Sequence, residues 1–182
     1  GANGTIIKYN GTNWIPQTID TTETIGSIYS FVSNGADIYA LGDIEWQGET
    51  DRYIGYLKNS GVGDTWTFEN TGILSRKGKK RLPVYSATSL NNIVYAVGKN
   101  GVVLNFDGTT WEDMSEDVSV TDNLYGISAG SSNVIIVGSS GRKIFYDGEN
   151  WQTENKWSSW SNLTDGSAFT LSRGTTSIEY FA

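Results

Sequence analysis

Residues 101–111 read GVVLNFDGTTW, and this stretch recurs without gaps as GRKIFYDGENW at 141–151 and GTIIKYNGTNW at 4–14. Apolar or aromatic residues stand seven and five positions before each tryptophan. Alternation with a period of two is typical of a β-strand. An Asp-Gly or Asn-Gly pair follows, and its glycine accepts the positive φ of a tight turn. Each copy therefore predicts a β-hairpin whose second strand begins at the tryptophan.

Two further strands are predicted upstream of each hairpin. One is an apolar run that ends in glycine, at 38–42, 93–98 and 134–138, and the other is an earlier segment at 27–32, 84–88, 124–128 and 168–171. A looser fourth hairpin joins RYIGY at 52–56 to GDTW at 63–66. Four antiparallel strands in roughly 45 residues form one propeller blade.

The repeat runs across the two ends of the chain. Residues 178–182, followed directly by residues 1–14, match residues 93–111 position for position. The repeat tryptophans are spaced by 52, 45 and 40 residues, and by 45 across the junction, which accounts for all 182 residues. These tryptophans are Trp14, Trp66, Trp111 and Trp151.

This pattern predicts an all-β fold, a four-bladed β-propeller of four-stranded antiparallel blades in one domain spanning 1–182. The expected blades are about 27–70, 83–117, 123–155, and 166–182 together with 1–18. Strands at about 168–182 are expected to pair with strands at about 3–17 and close the ring, which removes exposed sheet edges. The alternatives are a longer ring built from two chains and an in-register piece of a larger propeller.

These blades resemble those of the β-propeller repeat superfamily. The Asp/Asn-Gly-x-x-Trp pattern with its preceding aromatic residue is distantly similar to the Asp-box hairpin of BNR-type repeats, although the copies lack the Ser or Thr and the extra residue between Asp and Gly. The resemblance implies that the repeated residues stabilise hairpins and take no part in chemistry. They include Asp107, Gly108, Asp147, Gly148 and the repeat tryptophans.

Composition limits the classes of function that the chain can have. The chain has 13 Lys+Arg against 20 Asp+Glu, for a net charge of -7, and contains no His and no Cys. It therefore lacks a thiolate nucleophile, an imidazole base and the usual zinc ligands, and no cofactor is expected. The acidic balance disfavours nucleic acid, and no apolar run is long enough for membrane insertion. A glycosidase built on paired carboxylates remains the least favoured alternative.

Three long connections break the repeat and are expected on one face. They are 43–51, between the second and third strands of the first blade, and the crossovers 70–83 and 153–166. Loops on a rigid scaffold usually carry binding. The candidate ligand-binding residues come from three sources on these connections. They are the tryptophans outside the repeat position, the RKGKKR run at 76–81, and the acidic residue beside Trp46. These are Glu45, Trp46, Arg76, Lys79, Trp157 and Trp160.

We interpret the chain as a non-catalytic extracellular recognition module that binds carbohydrate or a receptor. Trp rings stack on sugar faces and dominate interface hot spots, so the expected partner is a glycan or a protein receptor. The expected location is extracellular or on a virion surface, in a bacterial-surface or phage-tail setting. The alternative is a structural or protein-interaction domain of a larger surface or phage-tail assembly. With either function, the chain is expected to be a monomer or a head-to-tail assembly of propeller halves.

Overall fold

The computed structural model describes residues 1–23, 25–61, 63–77 and 80–154. The structure is built from short strands. In chain order they are β1 (Ile7–Tyr9), β2 (Trp14–Pro16), β3 (Thr18–Asp20), β4 (Ile28–Asn34), β5 (Asp37–Gly42), β6 (Glu45–Gln47), β7 (Arg52–Asn59), β8 (Thr65–Leu74), β9 (Arg76–Lys77), β10 (Lys80–Arg81), β11 (Val84–Leu90), β12 (Ile93–Gly98), β13 (Val103–Phe106), β14 (Trp111–Asp113), β15 (Leu124–Ala129), β16 (Val134–Gly138), β17 (Lys143–Tyr146) and β18 (Trp151–Glu154).

The remaining regular elements are single turns. One helical turn, α1, spans Ser115–Val118. Short 3₁₀ turns span Ala2–Gly4, Lys99–Gly101 and Ser139–Gly141. Within the described residues, no helix has the length and apolar character that a membrane span requires.

Three sheets carry the fold. Two are four-stranded antiparallel meanders, β11-β12-β13-β14 and β15-β16-β17-β18. In the third, β4-β5-β7-β8 are antiparallel neighbours, β6 pairs with β7, and β3 adds to β8 in parallel. The all-β class and the four-stranded antiparallel sheets are therefore confirmed. The expected closing strands at 168–182 lie outside the described residues, so ring closure and blade number stay predictions.

Successive sheets pack face to face through a repeated aromatic contact. Tyr39 of β5 meets Phe106 of β13 with ring centroids 5.4 Å apart. One sheet further on, Tyr95 of β12 meets Tyr146 of β17 at 5.8 Å. The period of two explains this arrangement, because alternate residues of each strand face the neighbouring sheet. Two apolar cores lie on the two sides of the β11–β14 sheet, and a third lies against the β4–β8 sheet and includes Ile6, Trp66 and Phe68.

The hairpin turns follow the sequence motif. Oδ1 of Asp107 accepts hydrogen bonds from the backbone N–H groups of Thr109 and Thr110, at 2.7 and 2.8 Å. Gly108 has φ of 102°, a conformation that favours glycine. Oδ1 of Asp147 accepts equivalent bonds in the next sheet. The aspartate therefore closes the turn and places the tryptophan at the start of the returning strand.

The structure corrects the prediction that residues 70–83 form one long crossover. Strand β8 continues to Leu74, and the irregularity in its pairing with β7 falls between Asn70 and Leu74. The side chains of Asn70 and Thr71 support this bulge by accepting bonds from the N–H groups of Gly72 and Ile73, at 3.0 Å each. Most of the expected loop is therefore sheet, because local side chains replace the interrupted ladder bonds.

Candidate functional site

Connections within and between the sheets meet at one end of the structure, which we call the crossover face. In each larger sheet, the connection after the second strand donates a backbone hydrogen bond to the residue just before the first strand. These bonds run from Asp43 to Ser27, from Lys99 to Pro83 and from Ser139 to Asn123, at 2.8, 3.0 and 2.8 Å. The insertion 43–51 therefore shares this face with the connections between sheets, as predicted.

Glu45 anchors that insertion. Its side chain is buried, and Oγ of Ser75 donates to Oε1 at 2.6 Å. Arg52 donates to Oε2 at 3.0 Å, and Nε of Arg81 lies 3.8 Å from the same oxygen. Arg81 also pairs with Asp43 at 3.1 Å. A buried carboxylate needs such partners to offset its desolvation. Glu45 thus fixes β6 against β7 and β10.

Trp46 is held in place by the same short strand. It pairs across the ladder with Tyr53, and its ring lies 5.0 Å from that of Phe68, tilted by 39°. The side chain is half-buried. One part of the indole therefore contributes to the core and another part remains accessible at the crossover face.

The other predicted site residues are described in part or not at all. Arg76 lies in β9, opposite Arg81 of β10 in a short antiparallel ladder. Lys79, Trp157 and Trp160 lie outside the described residues. The structure therefore brings together Glu45, Trp46 and the last arginine of the basic run, and the remaining predicted contacts stay predictions.

Sequence reasoning missed a set of tyrosines on the first strands of the three sheets. Tyr29 of β4 lies between Ile28 and Ser30, which pair with consecutive residues of β5, so Tyr29 is the extra residue of a β-bulge. The same irregularity recurs at Tyr85 of β11 and Tyr125 of β15. Bulges redirect a side chain and are concentrated next to functional sites.

These three side chains form a continuous row, which we call the tyrosine row. Strand β11 lies between β4 and β15. Ring centroids of Tyr29 and Tyr85 are 5.7 Å apart at 65°, and those of Tyr85 and Tyr125 are 5.4 Å apart at 32°. Tyr29 is half exposed, and the other two are partly buried. Burial raises the pKa of Tyr85, and electrostatic interactions with Tyr125, Tyr29 and Asp43 raise it further. Its hydroxyl is therefore protonated at neutral pH.

An ion pair and an amide lie beside the tyrosine row. Asp43, whose charge acts on Tyr85, is paired with Arg81 at 3.1 Å. The Nδ2 group of Asn123 donates to the Tyr125 hydroxyl at 3.3 Å. Asp122, which precedes Asn123 in the chain, is paired with Arg142, whose Nε and Nη2 lie 2.9 and 2.8 Å from it.

A sequence signal for the row was present. The first-strand segments read IYS at 28–30, VYS at 84–86 and LYG at 124–126, so tyrosine recurs at one repeat position. Strand alternation alone assigns that position to a face of the sheet, and it does not reveal the bulge that redirects it. The recurrence of a residue with a polar tip beside a buried aliphatic one was the informative feature.

Comparison with solved structures supports a β-propeller-like fold. No family model and no curated protein sequence matches the chain. The structure of YCF48 bound to D1 peptide matches with a TM-score of 0.56 at 14% identity, over 85% of this chain and 48% of that one. YCF48 from Cyanidioschyzon merolae matches with a TM-score of 0.54 at 15% identity, over 90% and 57%. The chain thus spans about half the length of these solved structures, and the likeness shows a β-propeller-like fold.

Proposed function

We propose that the chain is a non-catalytic recognition module that binds a glycan or a protein receptor through the crossover face. The observation that supports this most is the anchoring of Trp46. A buried ion-pair network at Glu45 fixes the one long insertion in the described sheets, and the insertion presents a partly accessible indole. Ligand contacts on rigid elements lose little conformational entropy on binding.

The groups on this face suit binding better than catalysis. The chain has no His and no Cys. Both carboxylate oxygens of Glu45 are engaged, Oε1 by Ser75 and Oε2 by Arg52 and Arg81. A glycosidase acid needs free access to the glycosidic oxygen. We therefore assign Glu45 the role of positioning the insertion.

A glycan array followed by titration calorimetry tests the proposal. Trp46→Ala is expected to weaken binding of a glycan or receptor by about tenfold, as loss of an interface tryptophan usually does. Gln47→Ala is the matched control, since Gln47 is the exposed next residue of β6. Equal affinity of the Trp46→Ala variant and the intact chain would exclude Trp46 from the binding site.

The second candidate is a structural or protein-interaction domain of a larger assembly. One structural neighbour, YCF48, was solved with D1 peptide bound, so a propeller-like scaffold of this kind accommodates a peptide. The full-length gene product separates the candidates. Flanking secretion, anchoring or tail-fibre segments would favour the extracellular or virion-surface module, and flanking intracellular domains would favour the alternative.

We also propose that the ring closes as four blades. Side chains of the β1–β2 hairpin are exposed where their repeat equivalents in β13 and β14 are buried. The exposed set is Ile7, Tyr9 and Trp14, and the buried set is Leu104, Phe106 and Trp111. By the repeat, residues 178–182 would occupy the edge of β1 as β12 occupies the edge of β13, where Tyr95 pairs with Asn105.

Engineered cysteines test this register, because the chain contains none. The repeat places Tyr180 opposite Lys8. Paired strand residues lie about 4.5–5.5 Å apart at Cα, within reach of a disulfide. Lys8→Cys with Tyr180→Cys is expected to cross-link within one chain on oxidation, and Lys8→Cys with Glu179→Cys serves as the register-shifted control. A cross-linked dimer would indicate head-to-tail assembly, and the absence of any cross-link would contradict closure.

A further inference from the structure

The tyrosine row is not required by the core. In each first strand the preceding residue, Ile28, Val84 or Leu124, fills the buried position next to the bulge. The tyrosines at the bulges do not belong to the buried clusters, and each adds a hydroxyl that an aliphatic residue would lack. The recurrence of both the bulge and the tyrosine in three sheets therefore calls for a reason beyond core packing.

The row offers unused binding capacity. The hydroxyls of Tyr29 and Tyr85 make no hydrogen bond within the described part of the chain, and Tyr125 accepts one from Asn123. A tyrosine hydroxyl both donates and accepts. Adjacent rings provide a strip of aromatic surface whose polar tips remain available, the combination that suits tyrosine to binding surfaces.

The charge beside the row helps to select the ligand. Asp43, whose charge acts on Tyr85, is paired with Arg81 at 3.1 Å. An anionic ligand would find no surplus cation at this pair, and a cationic ligand would find no surplus carboxylate. A neutral ligand rich in hydroxyl groups matches tyrosine tips and an Asn123 amide that donate and accept hydrogen bonds without a charge.

We propose that Tyr29, Tyr85 and Tyr125 form a subsite for a neutral sugar, whose ring stacks on the tyrosine rings and whose hydroxyl groups bond to the tyrosine tips. This inference rests on the proposed recognition function and deepens it. It places the primary sugar contact on the first strands of the sheets, on the same crossover face as the tryptophan-bearing insertion.

The experiment uses the full chain with ¹³C-labelled tyrosine rings, titrated with maltotriose, chitotriose and mannotriose, and with 3′-sialyllactose as the anionic probe. At least one neutral trisaccharide is expected to shift the Tyr29 and Tyr85 ring signals. Tyr29→Ala is expected to weaken that binding by about tenfold, and Tyr85→Phe by about threefold. Leu74→Ala is the matched control, because Leu74 and Tyr29 are both 51% exposed and Leu74 lies on β8, outside the row, and it should leave the affinity unchanged.

Each other outcome overturns the assignment in a different way. If no neutral trisaccharide shifts the two ring signals, or only 3′-sialyllactose does, the neutral-sugar subsite is wrong. If a neutral trisaccharide binds with unchanged affinity to Tyr29→Ala but is lost in Trp46→Ala, the row is not the site and the recognition function stands. Circular dichroism of each variant confirms that the sheets are retained.

Discussion

The β1–β2 hairpin and the β13–β14 hairpin share one sequence motif and differ in what covers them. In both, the aromatic residue before the turn lies against the tryptophan after it, with ring centroids 5.2 Å apart for Tyr9 and Trp14 and 4.8 Å apart for Phe106 and Trp111. Trp14 is nevertheless 64% exposed and Trp111 only 6%. The motif therefore builds the hairpin locally, and burial depends on the neighbouring sheet.

The turns of the two hairpins support this separation of local and tertiary contributions. Oδ1 of Asn10 accepts hydrogen bonds from the N–H groups of Thr12 and Asn13, at 2.9 and 2.8 Å, as the Asp107 carboxylate does in its own turn. Side-chain bonds of this kind stabilise a turn without tertiary contacts. A hairpin of two three-residue strands is still marginal on its own, since isolated hairpins gain little in water.

Replacing the hairpin tryptophan by alanine should produce the largest difference in unfolding free energy between the β13–β14 and β1–β2 hairpins. Trp111→Ala deletes a buried ring that packs on Phe106 and Tyr56, and it is expected to lower the free energy of unfolding by about 3–5 kcal/mol. Urea unfolding followed by circular dichroism measures the change.

Trp14→Ala is the matched variant in the first hairpin. If residues 168–182 close the ring as proposed, they and the sheet beyond them cover the first hairpin, so the cost should rise to about 2–4 kcal/mol. A cost below about 1 kcal/mol, typical of an exposed side chain, would show that the hairpin stays open and would contradict closure.

The 3₁₀ turn that precedes each hairpin ends in a glycine with positive φ. Gly4 and Gly101 have φ of 69° and 77°, so alanine is strained at both positions. A Cβ on Gly101 would also collide with the backbone carbonyl of Val120, whereas a Cβ on Gly4 would lie 3.0 Å from the side chain of Ile25. A side chain can move aside more easily than a backbone carbonyl.

Gly101→Ala is therefore expected to cost about 2–3 kcal/mol and Gly4→Ala about 1–2 kcal/mol. Urea unfolding of the two variants measures both values. Equal costs would mean that positive φ alone determines the penalty, and a larger cost at Gly4 would mean that the first hairpin is packed more tightly than the second.

The repeat motif was sufficient to predict the hairpins and the four-stranded sheets, because period-two alternation and Asp-Gly turns act locally. It was not sufficient to predict β3, whose three residues, Thr18–Asp20, pair in parallel with β8. A three-residue strand is too short to show an alternating apolar pattern. Such an edge pairing depends on the position of a distant strand.

The site was less predictable than the fold. Glu45 lies in a polar insertion that composition alone would place in solvent. Its side chain is nevertheless buried, and it accepts hydrogen bonds from Ser75 and Arg52, which follow the insertion in the sequence. The tyrosine row required knowledge of the bulges, which depend on register between neighbouring strands. Trp46 was found because a tryptophan outside the repeat position has no role in the hairpin motif.

The smallest expected effect concerns the pH dependence of the two turns. Hydrogen bonds from the backbone of Thr110, then from the side chain and backbone of Thr109, lower the pKa of Asp107 below 3.8, and backbone bonds from Asn150 and Glu149 lower that of Asp147. A carboxyl with a lowered folded-state pKa stabilises the fold above its unfolded pKa and loses this contribution as the pH falls through the folded pKa. The intact chain should therefore lose stability below about pH 4.

Exchanging the two turn residues tests whether this acid sensitivity belongs to the hairpins. Asp107→Asn with Asp147→Asn keeps an oxygen acceptor that does not titrate, as Asn10 does in the first hairpin, so the acid-induced loss should become shallower. Asn10→Asp should make it steeper. Urea unfolding between about pH 2.5 and 6 measures the slopes. Unchanged slopes in both variants would contradict a contribution of the turn carboxylates to the acid response.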